Sequence, residues 1–203
     1  QEKLVNDPLA VSLDDGERLD ALVIEAAAQV ASMRTGYERL DDDLAGTEQT
    51  LASLRLLRAR AEAAGREAEA KVLDPVGLVQ VPSIAVLDGA DGLAHRLDQV
   101  LAPSGAASWH QRRSMLDSWL AMARKLETQL GRAEAANGQP LQQRDELRGR
   151  LRAYQAKMSA TGKAEDLEVT AIVDQARADL YTAPTDLEQA SAVLKELALR
   201  LRT

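Results

Sequence analysis

The stretch that decides the fold is residues 19–54, which read LDALVIEAAAQVASMRTGYERLDDDLAGTEQTLASL. Apolar residues recur along it at alternating steps of three and four, which is the heptad pattern of helices that pack side by side. The positions of this seam are Leu19, Val23, Ala26, Val30, Met33, Tyr37, Leu40, Leu44, Leu51, Leu54 and Ala61. Because residues 13–73 contain no Pro, the pattern predicts one helix over that span, roughly 90 Å long at ~1.5 Å per residue. A helix of that length needs a partner along its seam.

Gly46 is the position where we expect this long helix to bend. Gly36, Gly46 and Gly65 lie in the interior of the span, and each costs up to ~1 kcal/mol relative to Ala in an exposed helix. Thr47 follows at a seam position and weakens the apolar contact there. The sequence therefore predicts one bent rod rather than two separate helices.

Charged side chains on the rod are segregated by sign. An acidic band precedes a basic band, and the two consist of Glu38, Asp41, Asp42, Asp43 and Glu48, then Arg55, Arg58, Arg60 and Arg66. Such runs usually form a solvated outer face, but flanking charges also set the orientation of helices in coiled coils. Under the second interpretation, an antiparallel partner would carry the bands in the reverse order.

The composition of the 203-residue chain favours an all-α fold built from thin helix pairs. The chain has no Phe, its aromatic content is 2%, and Ala and Leu supply most of its apolar residues. Sheets and thick cores favour aromatic and β-branched residues. Helices packed side by side can be built from Ala and Leu.

Net charge and cysteine content exclude several classes of function. The formal charge of −7 argues against a nucleic-acid binder, which would present a basic surface. The absence of Cys excludes disulfides and thiolate metal sites. No apolar run approaches the ~18 residues of a membrane span. Since the chain begins at Gln1 rather than Met, we expect a fragment of a longer protein, with any membrane segment outside it.

Two segments flank the rod. Residues 1–12 are expected to be a lead-in, with Ser12 as a candidate N-cap of the long helix. Residues 74–92 contain two Pro and three Gly yet remain apolar. This combination predicts a linker packed against the helices, with a short edge strand as the alternative.

Residues 93–137 are expected to form a short helix and then a return helix. The short helix covers residues 93–101, and the return helix ends at Asn137, Gly138 and Pro140. The apolar stripe of the return helix consists of Trp109, Leu116, Leu120, Ala123, Leu126, Leu130 and Ala133. Rod and return helix together predict a long antiparallel coiled-coil hairpin.

Residues 138–203 are expected to form a small C-terminal helical bundle with helices over residues 141–160, 165–181 and 185–202. Thr185 followed by Glu188 fits a capping box at the start of the last helix. The predicted stripes are Leu147, Leu151, Tyr154 and Met158; Leu167, Ala171, Ala176 and Leu180; and Leu187, Ala190, Leu194, Leu197 and Leu201. A single faint match to a tetratricopeptide repeat in residues 151–184 does not make an array.

No pattern in the sequence predicts a catalytic, metal or cofactor site. His95 and His110 lie on different predicted helices and lack carboxylates at metal-ligand spacing. Asp41, Asp42 and Asp43 lie in a helix, where adjacent side chains point in different directions. Phosphate-binding glycine loops and nucleophile elbows are absent. We therefore expect a protein without enzymatic activity and without a cofactor.

Four aromatic residues are candidates for binding a partner: Trp109, Trp119, Tyr154 and Tyr181. Aromatic side chains are enriched at the centres of protein interfaces. The alternative for the two tryptophans is core packing, since helix pairs often use one large residue to fill a gap.

The C-terminal helices resemble a known family. The matching strings are LRAYQAK at residues 151–157, Gly162, AED at residues 164–166 and DLYTAPTDL at residues 179–187. They are similar to the C-terminal helices of GlnX-like membrane proteins of actinobacteria, which accompany the serine/threonine kinase PknG. The resemblance covers about a quarter of the chain. It implies the cytoplasmic part of a membrane protein that relays external amino-acid (glutamate) availability to the kinase.

These observations lead to two functional expectations. The first is a non-enzymatic signal-relay and interaction domain whose partner is PknG and whose long helix transmits tilt or register shifts. The second is an architectural coiled-coil spacer or oligomerisation module, which would form a homodimer through the long helix. Relay predicts binding to the kinase, whereas a spacer predicts self-association alone.

Overall fold

The computed structural model describes residues 13–102 and 109–202, without the side chains of residues 13–15, 37, 109 and 164. The described residues form seven α-helices: α1 Leu13–Ala45, α2 Thr47–Lys71, α3 Ala85–Asp88, α4 Leu93–Leu101, α5 Trp109–Thr161, α6 Leu167–Tyr181 and α7 Leu187–Arg200. A 3₁₀ turn, Lys163–Glu165, precedes α6. No strand occurs among them, so the all-α fold class is confirmed. The expected lead-in at residues 1–12 lies outside this description.

The rod consists of α1 and α2, which meet at Gly46. The φ of −86° and ψ of −11° at Gly46 remain near helical values, so the helices form the bent rod that the sequence predicts. Thr47 is buried, and its hydroxyl donates a hydrogen bond to the carbonyl of Leu44 at 2.7 Å. That bond satisfies the hydroxyl at a seam position that would otherwise hold an apolar side chain. The rod ends at Lys71, two residues before the predicted end.

The partner helix α5 runs parallel to the rod, and not antiparallel as expected. Arg113 donates to Asp43 at 2.6 Å, and further along Asn137 Nδ2 donates to the carbonyl of Ala61 at 3.1 Å. These partners are 70 and 76 positions apart. Because residue numbers rise together along both helices, the helices point the same way.

A parallel arrangement requires the chain to return between the two helices, and residues 72–101 do so. Arg58 donates to the carbonyl of Pro82 at 2.9 Å. Further back, Arg112 donates to the carbonyl of Val100 at 2.8 Å. The returning segment, which contains α3 and α4, packs Leu87 and Leu97 into the core. The linker at 74–92 is therefore packed in part, although Val76 is 90% exposed, and the short helix over 93–101 is confirmed.

The return helix does not end at Asn137, Gly138 and Pro140 as predicted. Instead, α5 continues to Thr161, so that it is 53 residues long and contains Pro140. The Asn137 side chain is buried and joins two segments, because Nδ2 donates to Ala61 and Oδ1 accepts from the Val79 N–H at 2.7 Å. An amide held in this way does not cap a helix. One helix thus serves both the hairpin region and the C-terminal region.

Buried apolar residues form two clusters, one at each part of α5. The first cluster contains Leu40, Leu51, Leu54, Leu87, Leu93, Leu97, Val100, Leu116, Trp119, Ala123, Leu126 and Leu130. The second contains Leu147, Leu151, Met158, Val169, Val173, Ala176, Leu180, Ala190, Leu194, Leu197 and Leu201. The second is the core of the C-terminal bundle, made by the end of α5 with α6 and α7.

Two details of the C-terminal bundle differ from the predicted ones. The N-cap of α7 is Asp186, whose carboxylate accepts the N–H of Gln189 at 2.9 Å, so the capping box that begins at Thr185 was wrong. In α6, Val169 and Val173 are buried, whereas Leu167 is 85% exposed. The Asp166 carboxylate accepts from Val169 and fixes the start of α6.

Candidate interaction surfaces

An unusual surface lies on α1, where the heptad seam is exposed. The exposed fractions of its large apolar residues are 55% for Leu19, 60% for Leu22, 66% for Val23, 69% for Ile24, 65% for Val30 and 47% for Met33. We call these six residues the α1 stripe. Leu19, Val23, Val30 and Met33 lie on the seam, Leu22 borders it, and Ile24 points to the outer side of the helix. Large apolar side chains exposed along a seam in this way mark interaction sites. Residues of α5 pack on the rod from Leu40 onward, whereas the stripe is exposed within the part of the chain that the structure describes.

A second notable region joins the end of the rod to the turn between α6 and α7. Val72 and Thr185 form an isolated parallel β-bridge. The Thr185 N–H donates to the carbonyl of Lys71, and the Leu73 N–H donates to the carbonyl of Thr185, both at 2.9 Å. This junction attaches the rod to the C-terminal bundle through backbone hydrogen bonds.

Arg144 completes the junction from α5. Its side chain is buried, and its Nε donates to the hydroxyl of Thr185 at 2.8 Å. That hydroxyl in turn donates to the carbonyl of Thr182 at 3.0 Å. Burial lowers the pKa of the Arg144 guanidinium, and the neighbouring charge of Arg148 acts in the same direction. Hydrogen bonds from the end of the rod, from α5 and from the turn after α6 therefore fix the position of Thr185.

The four aromatic candidates do not converge on one surface. Trp119 is fully buried, and its indole N–H donates to the carbonyl of Leu93 at 2.8 Å, which is the core role left open by the sequence. Trp109 begins α5, and its side chain lies outside the described ones. Tyr154 packs half-buried against the C-terminal core. Only Tyr181, 53% exposed, presents a large described aromatic surface to solvent.

The ring of Tyr181 packs against the guanidinium of Arg148. The guanidinium of Arg148 lies 4.7 Å from the centroid of the Tyr181 ring, a cation–π contact. The same Arg148 donates through Nε to the carbonyl of Leu180 at 3.0 Å. The ring is therefore oriented by the bundle while more than half of its surface stays open. That combination of order and exposure suits a contact with another protein.

Titratable side chains do not assemble into a reactive cluster within the described ranges. No group of three His, Asp or Glu residues there could hold a metal ion. His95 lies beside Gln99 on α4, 3.0 Å away, and His110 lies on α5. In the acidic band, Asp43 forms a salt bridge with Arg113. A carboxylate oxygen of Asp179 is buried without a hydrogen-bond partner, while its other oxygen accepts from Gln175 at 2.8 Å.

Sequence reasoning missed the residues that hold the two halves of the molecule together. Asn137 was interpreted as a helix stop, Thr185 as a cap, and Arg144 was not singled out. Gly65 could have indicated that another segment packs closely against the rod at that point. A Cβ at Gly65 would lie 3.1 Å from Asn137 Nδ2. A glycine inside a heptad seam often marks such a close approach.

No family model, curated protein or solved structure matches the chain. Within the described residues, none of the helices combines the length and apolarity needed to cross a bilayer. The class that the fold defines is an all-α protein in which two long helices run parallel and a small helical bundle follows.

Proposed function

We propose that this chain is a non-enzymatic signal-relay and protein-interaction domain. The observation that carries the proposal is the α1 stripe, an ordered apolar surface continuous with a seam that is buried from Leu40 onward. Apolar surface on an ordered helix serves binding. The described residues also offer no cluster of groups with which an enzyme would be built.

The finer form of the proposal rests on the resemblance of residues 151–187 to GlnX-like proteins. It makes the chain the cytoplasmic part of a membrane protein that couples external glutamate sensing to the serine/threonine kinase PknG. In that arrangement the membrane is reached only through segments outside this chain. The C-terminal bundle, which carries the matching strings and the ordered Tyr181 ring, is the proposed kinase contact.

A relay needs a mechanical connection between an input and an output. The α1 stripe is the proposed input, and α2 links it to the junction at Val72 and Thr185. Gly46 lies between the two, where α1 meets α2, and it is exposed and has no side chain. Helices transmit such signals when two packings differ by only a few kcal/mol. We propose that a tilt of α1 about Gly46 would shift the end of the rod at Val72 relative to Thr185. This shift would change the surface of the C-terminal bundle near Tyr181.

The alternative function is an architectural coiled-coil spacer or oligomerisation module. The same α1 stripe favours it, because a heptad seam pairs with a copy of itself as readily as with another protein. A spacer needs no contact with a kinase. The two functions therefore differ in what the C-terminal bundle binds.

The deciding experiment is sedimentation equilibrium of the chain alone and mixed with PknG. A complex heavier than either component is the expected result. Tyr181→Ala should weaken that complex by about fivefold, as expected for losing one exposed aromatic contact. Leu22→Ala is the matched control, since it truncates a similarly exposed apolar side chain on α1 and should leave kinase binding unchanged. Absence of a complex at tens of micromolar would favour the spacer.

A further inference from the structure

We infer that the groove between α5 and α7 binds an amphipathic helix of another protein, with Glu or Asp residues flanking the apolar side of that helix. The groove consists of two adjoining cavities of about 590 and 330 Å³. Its lining includes Leu147, Arg150 and Tyr154 from α5, and Lys195, Leu199 and Arg202 from α7 and the turn after it. The inference goes beyond the proposed function, because it identifies a partner by its chemistry and does not require the kinase.

The shape of the groove fits one helix. Gln143 and Glu188 line the first cavity, and Tyr154 and Arg202 line the second, so α5 and α7 run in the same direction along the groove. From Glu188 to Arg202 its length is ~21 Å, about four helical turns. Because α5, α6 and α7 share one core, a helix placed in this groove would complete a four-helix bundle.

The floor of the groove is apolar. Leu147 and Leu194 are buried, and Tyr154 and Leu187 are half-buried against the same core. Leu199 lies at the edge with 62% of its surface exposed. Helices that bind in such grooves insert apolar anchors at steps of three and four residues. The apolar side of the partner is therefore expected to cover this floor and to contact Leu199.

The rim of the groove favours acidic residues beside those anchors. Arg150, Lys195 and Arg202 are exposed along it, and none of them forms an ion pair with another described residue. Arg200, by contrast, binds Glu168 of α6 at 2.9 Å. Unpaired cations around an apolar floor attract carboxylates of a partner and add specificity to its binding.

Two carboxylates argue against a nucleic acid or an anionic membrane as the occupant. Glu146 and Glu188 line the end of the groove nearest the junction. A polyanion would be repelled there, and its phosphates would gain nothing from the apolar floor. A helix can place a Lys or Arg at that end and carboxylates along the rest, so a helix matches both signs of charge.

The remaining segments of this chain are too far away to fill the groove. Residues 1–12 precede α1, which begins ~90 Å from Gln143 when α1 up to Asp43 and α5 beyond Arg113 are added. Twelve extended residues span at most ~43 Å. Residues 103–108 precede α5, whose start is ~51 Å from Gln143, whereas six residues span at most ~22 Å. The occupant is therefore expected to come from another molecule.

Fluorescence anisotropy with a model helix tests the chemistry of the groove. The probe is a labelled peptide of about 14 residues with Leu at the heptad a and d positions and Glu at the e and g positions. We expect a Kd on the order of 10 micromolar, and at least about tenfold weaker binding of the same peptide with Lys at e and g. Equal binding of the two peptides, or no binding at about 200 micromolar, overturns the inference.

Substitutions in the chain locate the bound peptide. Arg150→Glu and Lys195→Glu should each weaken binding of the Glu peptide at least about fivefold. Arg152→Glu is the matched control and should change it less than about twofold, because Arg152 is exposed on α5 outside both cavities. Leu199→Ala should weaken binding about fivefold, whereas Leu167→Ala, on the exposed side of α6, should not. Equal effects of the groove variants and their controls would place the peptide elsewhere and overturn the inference.

Two further measurements identify other occupants. Self-association of the native chain that Lys195→Glu abolishes and Arg152→Glu does not would place a second copy in the groove. Failure of the protein isolated from its native cells to bind the Glu peptide, when the 203-residue chain binds it, would place a segment of the same protein there. Either result overturns the inference. Tyr181→Ala should leave peptide binding unchanged, because Tyr181 lines neither cavity, so kinase binding is judged separately.

Discussion

The two halves of the rod carry the same heptad seam but differ in what covers it. Leu19 and Val23 in the first half are 55% and 66% exposed, whereas Leu40 and Leu54 in the second half are 2% exposed. Spacing and residue type do not distinguish the halves. The comparison teaches that a heptad pattern specifies which face of a helix will be buried, while the identity of the partner depends on where other helices begin and end.

The largest expected effect comes from truncating the covered half. Leu54→Ala should reduce the free energy of unfolding by about 2 to 5 kcal/mol, the range for large-to-small changes in a packed core. Leu54 contributes to the cluster that also holds Trp119. Urea denaturation followed by tryptophan fluorescence measures the change.

Leu19→Ala is the matched control for that substitution, because it makes the same change at the same heptad position. Its effect on the unfolding of the monomer should stay within about 0.5 kcal/mol, as at exposed sites. The measurement must be made below the concentration at which the chain associates. Equal destabilisation by the two substitutions would mean that α1 is covered in the monomer, and the comparison between the halves would fail.

The next effect concerns the far end of the covered half, at the junction. Thr185→Val removes the hydroxyl that accepts from Arg144 and should destabilise the chain by about 1 to 3 kcal/mol, the cost of a buried donor left unpaired. Thr128→Val is the control, because that hydroxyl is exposed and bonds only within α5. Similar unfolding curves for the two variants would show that the junction adds no stability to the rod.

A smaller, opposite effect is expected where the halves meet. Gly46→Ala should raise the free energy of unfolding by about 0.5 to 1 kcal/mol, because Ala favours the helix. The nearest atom to an added Cβ is the Asp43 carbonyl oxygen at 3.9 Å, so the methyl group fits. Thermal unfolding measures the gain. A loss of stability would mean that the bend at Gly46 requires glycine, and would make the boundary between the halves a built-in feature.

The smallest effect tests the direction of α5 along the covered half. Asp43→Arg should lower stability by about 0.2 to 1 kcal/mol, the usual range for partly exposed ion pairs. The pKa of Arg113 is raised by its hydrogen bond to Asp117 first and by that to Asp43 second, so part of its stabilisation will remain. Because Arg113→Glu also removes the ion pair with Asp117, a double-mutant cycle is needed: Arg113→Glu should cost less stability in the Asp43→Arg chain than in the native chain if the two positions are neighbours. An equal cost in the two backgrounds would contradict the contact between Asp43 and Arg113.

The direction of α5 could have been predicted from the order of charges. The rod carries its acidic band before its basic band, and α5 carries Arg112 and Arg113 well before Glu134. Reversed order brings opposite charges together only when two helices run the same way, as Asp43 with Arg113 and Arg60 with Glu134 confirm. An antiparallel partner was expected to carry the acidic and basic bands in reverse order, whereas reverse order brings opposite charges together in a parallel pair. The intervening 37 residues 72–108 are long enough for the return crossing that a parallel partner requires.

Helix content, the bend at Gly46 and the short helix over 93–101 followed from local patterns, which propensity and periodicity specify. The continuation of α5 through Pro140 did not. Pro costs about 3 kcal/mol inside a helix, but residues on both sides of it are buried in different cores, including Leu130 and Leu147. Burial on both sides outweighs the local preference, and no local signal reports it.

At the candidate surfaces, the sequence located the seam and the aromatic residues but not their exposure. Trp119 and Trp109 lie on one helix, and their pattern alone could not assign Trp119 to the core. The α1 stripe is apolar in sequence and gives no indication that it is open. Exposure depends on where the other helices pack along the rod, which is a property of the whole chain.

The parallel pairing of the rod and α5 also has a consequence for the order of folding. Contacts along that pair join residues 70 and 76 positions apart, while α6 and α7 are separated by a turn of five residues, 182–186. Closing a long loop costs more entropy and slows folding relative to local pairing. The C-terminal bundle is therefore expected to form early and to supply a fixed Thr185 against which the end of the rod can dock.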